Sequence, residues 1–217
     1  KEDYFYITYS TNADGIEGRT EKKYILPKNL IVISGGGKGH IPTLTFLKQH
    51  DPKDFPLVEK FEYDAVFSGY MWYDARRRMV YGLKDLLGKR FMHFTKRVDW
   101  KIEYGKAKFV CAPRGYGRNS FRMAETLHVY DDIIWLPYYD SINWNRFSIV
   151  TNISNINKTI TRIVNTKPEE IIQMRKIIRS FYDSHFSLKG TFNQIKLFMQ
   201  FCFTKSDLRC AKYSIFH

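Results

Sequence analysis

The stretch Phe109-Val-Cys-Ala-Pro-Arg-Gly-Tyr-Gly-Arg-Asn-Ser-Phe-Arg-Met-Ala-Glu-Thr-Leu-His-Val129 decides how the chain is read. Its first four residues are a continuous apolar run, the pattern of a strand buried on both faces. Pro113, Gly115 and Gly117 then break the run, and Ser120 stands where an N-cap would open a helix from Phe121 to about Val129. Strand, glycine-bearing loop and helix in succession would aim backbone N–H groups and a positive helix end into the crevice beyond the strand's carboxyl end. Doubly wound sheets bind ligands there, and an anion fits. Arg122 puts a positive charge in the first turn, which is poor for an isolated helix but suits a diphosphate ligand. Glu125, one turn later on the same face, can accept two hydroxyl hydrogen bonds, as a ribose diol requires. The plain alternative for Arg122 and Glu125 is an i,i+3 ion pair on a solvated face.

Outward from this stretch the pattern alternates. Asp64–Ser68 reads as a short strand ending at Gly69. Asp74–Leu87 has helical periodicity, with Met79, Leu83 and Leu86 or Leu87 on one face, and Phe91–Phe94 reads as another strand. Ile133–Leu136 and Ser148–Val150 add strands, and Pro168–Ser184 is a helix opening on Pro-Glu-Glu. The sum is an α/β domain with a mostly parallel sheet. Upstream, Tyr4–Ser10 and Asn29–Ser34 read as strands. The glycines at 35, 36, 37 and 39 read as a tight connection rather than a phosphate cradle, because Pro42 interrupts and no helical run follows. The last 30 residues carry Phe192, Ile195, Leu197, Phe198, Phe201 and Phe203 as a broad apolar face expected to pack on the body of the protein.

The 217 residues carry 44% apolar and 26% charged residues, the composition of a globular chain. No apolar run approaches the roughly 20 residues that span a bilayer. The formal charge of +13 favours anionic partners. The basic residues are spread through the chain, with one dense knot at Arg76-Arg77-Arg78 and another at Arg114, Arg118 and Arg122, which suit a compact phosphate better than a long stripe along a duplex. No nucleic-acid partner is expected. Cys111, Cys202 and Cys210 lack zinc-site spacing, and no metal is expected.

From Cys111 to Leu127 the sequence resembles the signature of the exostosin-like glycosyltransferases, family 47, whose pattern is Cys-x-x-Pro-x-Gly-x-Gly-x-x-Ser-x-Arg-x-x-Glu-Ala-Leu with variable first positions; nearly every fixed position is met, with one residue fewer between Cys111 and Pro113 and Thr126 in place of Ala. Pro137-Tyr138, Trp144 with Phe147 and Ser148, and Met174-Arg175 follow in the family's order. Phe67-Ser68-Gly69 and the arginine knot resemble its upstream block. The resemblance implies a GT-B architecture, with residues 1–58 as a reduced N-terminal acceptor-side part and 59–217 as a Rossmann-like donor domain whose final helix packs back. It implies an inverting, metal-independent transfer of a sugar, with xylose favoured, from a UDP-sugar to an oligosaccharide or glycoprotein glycan, with no cofactor beyond that co-substrate. The donor-binding set would be Arg77, Arg78, Pro113, Gly115, Gly117, Asn119, Ser120, Phe121, Arg122 and Glu125. Within it, Ser120 and Arg122 would contact the diphosphate, Glu125 the ribose, and one of Arg76, Arg77 or Arg78 the departing phosphate.

Two departures stand against the pattern. Tyr130-Asp-Asp-Ile-Ile replaces the family's Gly-Cys-Ile-Pro-Val, where the donor sugar would be discriminated, and the N-terminal part is small, as in the minimal members encoded by large algal viruses. A viral member would be cytoplasmic, and a cellular one would sit in the Golgi lumen. An inverting enzyme needs a general base on the acceptor side; Asp14 in an Asp-Gly turn and His40 after the glycine run are the candidates. Two other readings compete: a polyanion-binding module for nucleic acid or sulfated glycan, and an inactive family member that partners an active subunit.

Overall fold

A computed structural model describes residues 4, 6–10, 27, 29–34, 41–42, 58, 60–95, 99–113, 128–130, 143–151 and 153–204. Five strands form one parallel sheet: β4 (Tyr63–Ser68), β5 (Phe91–Phe94), β6 (Ala107–Cys111), β7 (His128–Tyr130) and β8 (Ile149–Val150), in the spatial order β5-β4-β6-β7-β8. A second parallel sheet holds β1 (Tyr6–Ser10), β2 (Leu30–Ser34) and β3 (Ile41–Pro42).

Parallel strands need crossovers, and the sequence supplies helices for them. Helix α1 (Asp74–Leu87) joins β4 to β5, and α2 (Trp100–Gly105) joins β5 to β6. Asp74 in the first turn of α1 and Lys84 in the last match the helix dipole. Gly88 ends α1 with φ 54°, a left-handed conformation that glycine adopts without strain, and its N–H reaches the Lys84 carbonyl. Helices α3 (Ile156–Asn165) and α4 (Pro168–Phe181) follow β8, and α5 (Leu188–Thr204) follows a π-type turn at Tyr182–Phe186.

Strand alternation sorts the core into two layers. Ala65, Phe67, Phe109 and Cys111 project to one side, against Met79, Val80, Leu83 and Leu87 of α1, Ile160 and Ile163 of α3, and Ile171, Met174 and Ile178 of α4. Val66 and Val110 project to the other, against Tyr104 of α2, and Ala107 at the start of β6 joins that cluster. Helices α1 and α2 thus lie on opposite faces, as right-handed crossovers in opposite directions require. Burial pushes the Cys111 thiol up to about 12. Arg175 on α4 donates to the Ala107 carbonyl at 2.6 Å and lies over the Phe61 ring, fastening α4 to the start of β6. Its burial, with Arg179 nearby, brings its pKa down to about 10.

Of the two alternatives for the apolar face of α1, Leu87 is buried and completes it, whereas Leu86 is exposed. Other expectations need correction. The helix expected to reach Val129 cannot, because His128–Tyr130 pair with β6 and β8. The helix expected through Ser184 ends at Phe181 and gives way to the π-type turn. In the final helix Ile195 and Met199 lie against Ile31 and Ile33 of β2, whereas Phe192 and Leu197, expected on the packed face, are exposed. The strand expected at Ile133–Leu136 lies outside the described residues.

At the amino end of β4, buried Asp64 receives two hydrogen bonds from Arg90, at 3.1 and 2.9 Å, and an ion pair from Lys108 at 2.9 Å. Burial raises the carboxyl's pKa, but the Arg90 and Lys108 hydrogen bonds outweigh it and leave the net value lowered. A carboxylate lowered in the folded state contributes stability above its unfolded pKa and loses it as the pH falls through the folded one. Urea denaturation should therefore show wild-type stability falling below about pH 4, a slope that Asp64→Asn reduces. Asp64→Ala, which strands Lys108 at 13% exposure, should cost about 3 kcal/mol at pH 7. A second test concerns two helical glycines. A Cβ on Gly190 would lie 2.6–2.7 Å from the backbone of Asp183, Ser184 and His185, whereas one on Gly82 would meet the mobile Cδ1 end of Ile156. Gly190→Ala should cost about 2 kcal/mol by thermal or urea denaturation, and Gly82→Ala less than about 1 kcal/mol.

Candidate functional site

The strand order reverses at β4: the chain steps outward to β5 and then back across β4 to β6. The carboxyl ends of β4 and β6 therefore stand side by side at the switch point, where open α/β sheets bind ligands in a crevice. Two segments leave these ends. After β6 the chain runs through buried Ala112 and Pro113 into the sequence beginning at Arg114. After β4 it runs through Gly69-Tyr-Met-Trp-Tyr73 into α1.

The loop after β4 is tightly held. Gly69 has φ 154°, its N–H bonds the Phe94 carbonyl at 3.0 Å, and its own carbonyl accepts from His93 Nε2 at 2.9 Å. A carbonyl can only accept, so the His93 proton sits on Nε2. The His93 ring stacks on Phe67 at 5.3 Å, which fixes it on the end of β5. A Cβ on Gly69 would stand 3.1 Å from the Phe67 ring, so both conformation and space select glycine there.

The arginine knot works on this same loop. Arg76 donates to the Tyr70 carbonyl at 3.1 Å and lies over the rings of Phe67 and Tyr73, at 5.7 and 5.5 Å. Arg77 reaches the Trp72 carbonyl at 3.1 Å and the Met71 carbonyl at 3.4 Å, with Asp74 at 3.6 Å. Arg78 bonds Asp74 through Nε at 2.7 Å and keeps both terminal nitrogens without a partner among the described residues. Arginine's several planar donors make this bracing of consecutive carbonyls feasible where one lysine could not do it.

Of the residues chosen from sequence, the structure describes Arg77 and Arg78 in the first turns of α1 and Pro113 just past β6. Asp14, His40, Gly115, Gly117, Asn119, Ser120, Phe121, Arg122 and Glu125 lie outside the described residues. Trp144, Phe147 and Ser148 are placed as core and turn. Phe147 is fully buried, tilted against Trp144 and Phe181, and Ser148 Oγ donates to the Trp144 carbonyl at 2.8 Å. Sequence reasoning did not single out His93, nor the exposed pair Tyr70 and Trp72. The run Tyr70-Met-Trp-Tyr73, with three aromatics in four residues directly after a strand, was the signal for the pair. Among the described residues no three His, Cys, Asp or Glu gather as a metal site, and no helix is long and apolar enough to cross a membrane.

A parallel sheet wound in both directions from β4 defines a doubly wound type of α/β architecture. The solved structure of TarM, a glycosyltransferase of teichoic acid glycosylation, is similar in fold, with a TM-score of 0.53 and 14% identity over 80% of this chain. The match covers 39% of TarM, so this chain spans well under half of that protein's length. No family model and no curated protein matches the chain.

If the arginines brace the loop, removing them should loosen it locally. Arg76→Ala and Arg77→Ala should each raise amide hydrogen exchange across residues 69–73 about tenfold. Exchange in β6 and α4, followed by mass spectrometry, should stay unchanged.

Proposed function

We propose that this chain is the donor-binding part of an inverting glycosyltransferase that moves a sugar, xylose for preference, from a UDP-sugar to a glycan hydroxyl without a metal. The observation that carries the reading is the reversal of strand order at β4, because the run Pro113-Arg-Gly-Tyr-Gly-Arg-Asn-Ser-Phe-Arg follows the strand on the other side of that crevice. The fold shared with TarM supports glycosyl transfer. The ordered resemblance from Phe67 to Ser148 supports an exostosin-like member of GT-B type, with residues 1–58 on the acceptor side.

In this reading the acceptor oxygen bonds the anomeric carbon as the bond from that carbon to the UDP oxygen breaks, inverting the centre. The acceptor proton passes to Asp14 or His40, and the UDP oxygen leaves with the electron pair. Negative charge grows on the departing diphosphate, and fixed donors aimed at it lower the barrier. Ser120, Arg122 and the backbone around Gly115, Gly117 and Asn119 supply such donors, with Glu125 on the ribose and Pro113 and Phe121 shaping the pocket. Of the arginine knot, Arg78 is best suited to the outer phosphate, since Arg76 and Arg77 spend donors on loop carbonyls while its terminal nitrogens have no partner among the described residues and its side chain is 59% exposed.

Calorimetric titration with UDP in EDTA tests this. The expected dissociation constant lies in the micromolar range, about −7 to −8 kcal/mol. Arg122→Ala and Glu125→Ala should each weaken binding about tenfold or more, with turnover of at least one UDP-sugar in a donor panel. A folded protein that gives no heat with UDP, yet binds long polyanions with steep salt dependence, would reverse the conclusion.

A further inference from the structure

The loop that carries the chain from β4 to α1 displays two large aromatic rings that the fold itself does not use. Trp72 is 76% exposed and Tyr70 60% exposed, and they stack on one another at 5.2 Å between centroids with 21° between planes. Neither the Tyr70 hydroxyl nor the Trp72 indole N–H has a hydrogen-bond partner among the described residues. Leaving two such rings in water forgoes about 1.5–3 kcal/mol of burial for each large apolar side chain, and their presentation is rigid. The Tyr70 carbonyl is held by Arg76, the Met71 and Trp72 carbonyls by Arg77, and the preceding Gly69 by His93 and Phe94.

We infer that Tyr70 and Trp72 form a saccharide platform on which one ring of the acceptor glycan stacks. The size of the patch argues for a small occupant: two aromatic side chains offer about 150–250 Å² each, well below the roughly 800 Å² that each partner buries in a stable protein interface. Its chemistry argues for a sugar. A pyranose presents C–H groups on its faces and hydroxyls at its rim, matching flat rings that each carry one unspent polar atom. Its position, at the switch-point end of β4, places it where a ligand of this sheet is expected. The choice of a saccharide rests on the transfer reading above. Pre-organisation by the arginines means that little ordering cost is added on binding.

The probes are hexasaccharides of β-1,4-xylose, β-1,4-glucose and α-1,4-glucose, titrated against the whole chain by saturation-transfer NMR, with UDP titrated in parallel by calorimetry. At least one hexasaccharide should bind with a dissociation constant of about 1 mM. Trp72→Ala should weaken it about tenfold, Trp72→Phe should stay within about threefold, and UDP affinity should be the same in all three proteins. The platform is overturned if no hexasaccharide binds the wild-type chain or if Trp72→Ala binds as well as wild type. It is equally overturned if Trp72→Ala weakens UDP in parallel, for the rings would then hold the nucleotide base. Hexasaccharide binding that depends on Trp72, with no UDP binding by the wild-type chain, would support the platform and remove the transfer reading.

Discussion

Strand β4 hydrogen-bonds to β5 on one side and to β6 on the other, and Asp64, Ala65, Val66 and Phe67 along it are all buried. A parallel strand in that position has no free edge and no solvent face, so both of its neighbours must be reached by crossovers and both of its faces must be covered. Everything else in this sheet follows from that demand. Right-handed crossovers put α1 on one face and α2 on the other, and α3 and α4 complete the layer that α1 begins. The crevice at the carboxyl ends is the geometric remainder of winding the chain away from β4 and then back across it.

The charged residues around β4 act at its two ends in different ways. At the amino end, Asp64 is satisfied by Arg90 and Lys108, so a buried carboxylate is tolerated and β4, the approach to β5 and β6 are tied together. At the carboxyl end, the cations of α1 act on neutral backbone: Arg76 and Arg77 hold three successive carbonyls of the loop. A strongly basic sequence thus spends part of its hydrogen-bond donors on shaping a loop. Among the described residues, the terminal nitrogens of Arg78 have no partner.

Local periodicity was legible in the sequence. Asp74–Leu87 and Phe91–Phe94 stand where the pattern put them, because both the helical repeat and the strand run are bounded by clear breakers such as Gly69 and Gly88. Reading stayed open where two neighbours were equally apolar and failed where a partner strand intervened. Leu86 and Leu87 differ in burial through the rotation of α1 against α3, and His128–Tyr130 is claimed by ladders to β6 and β8 that no local preference announces. Phe192 and Leu197 look like core residues in one dimension, yet α5 meets β2 through Ile195 and leaves them outside. The described part of the site shows the same division. The glycine and arginine content marked the region, while the bracing role of Arg76 and Arg77, the Nε2 proton of His93 and the aromatic pair were invisible without neighbours.

The sequence by itself determined that the chain alternates strands and helices into a parallel α/β sheet, since hydrophobic period and turn residues are properties of contiguous residues. Only the tertiary structure decided the order β5-β4-β6-β7-β8, and with it which strand ends meet at the crevice. It also decided that the arginines of α1 hold a loop while Tyr70 and Trp72 face solvent. Strand order and side-chain partnership are set by contacts between segments distant along the chain, and those energies exist only once the sheet has closed around β4.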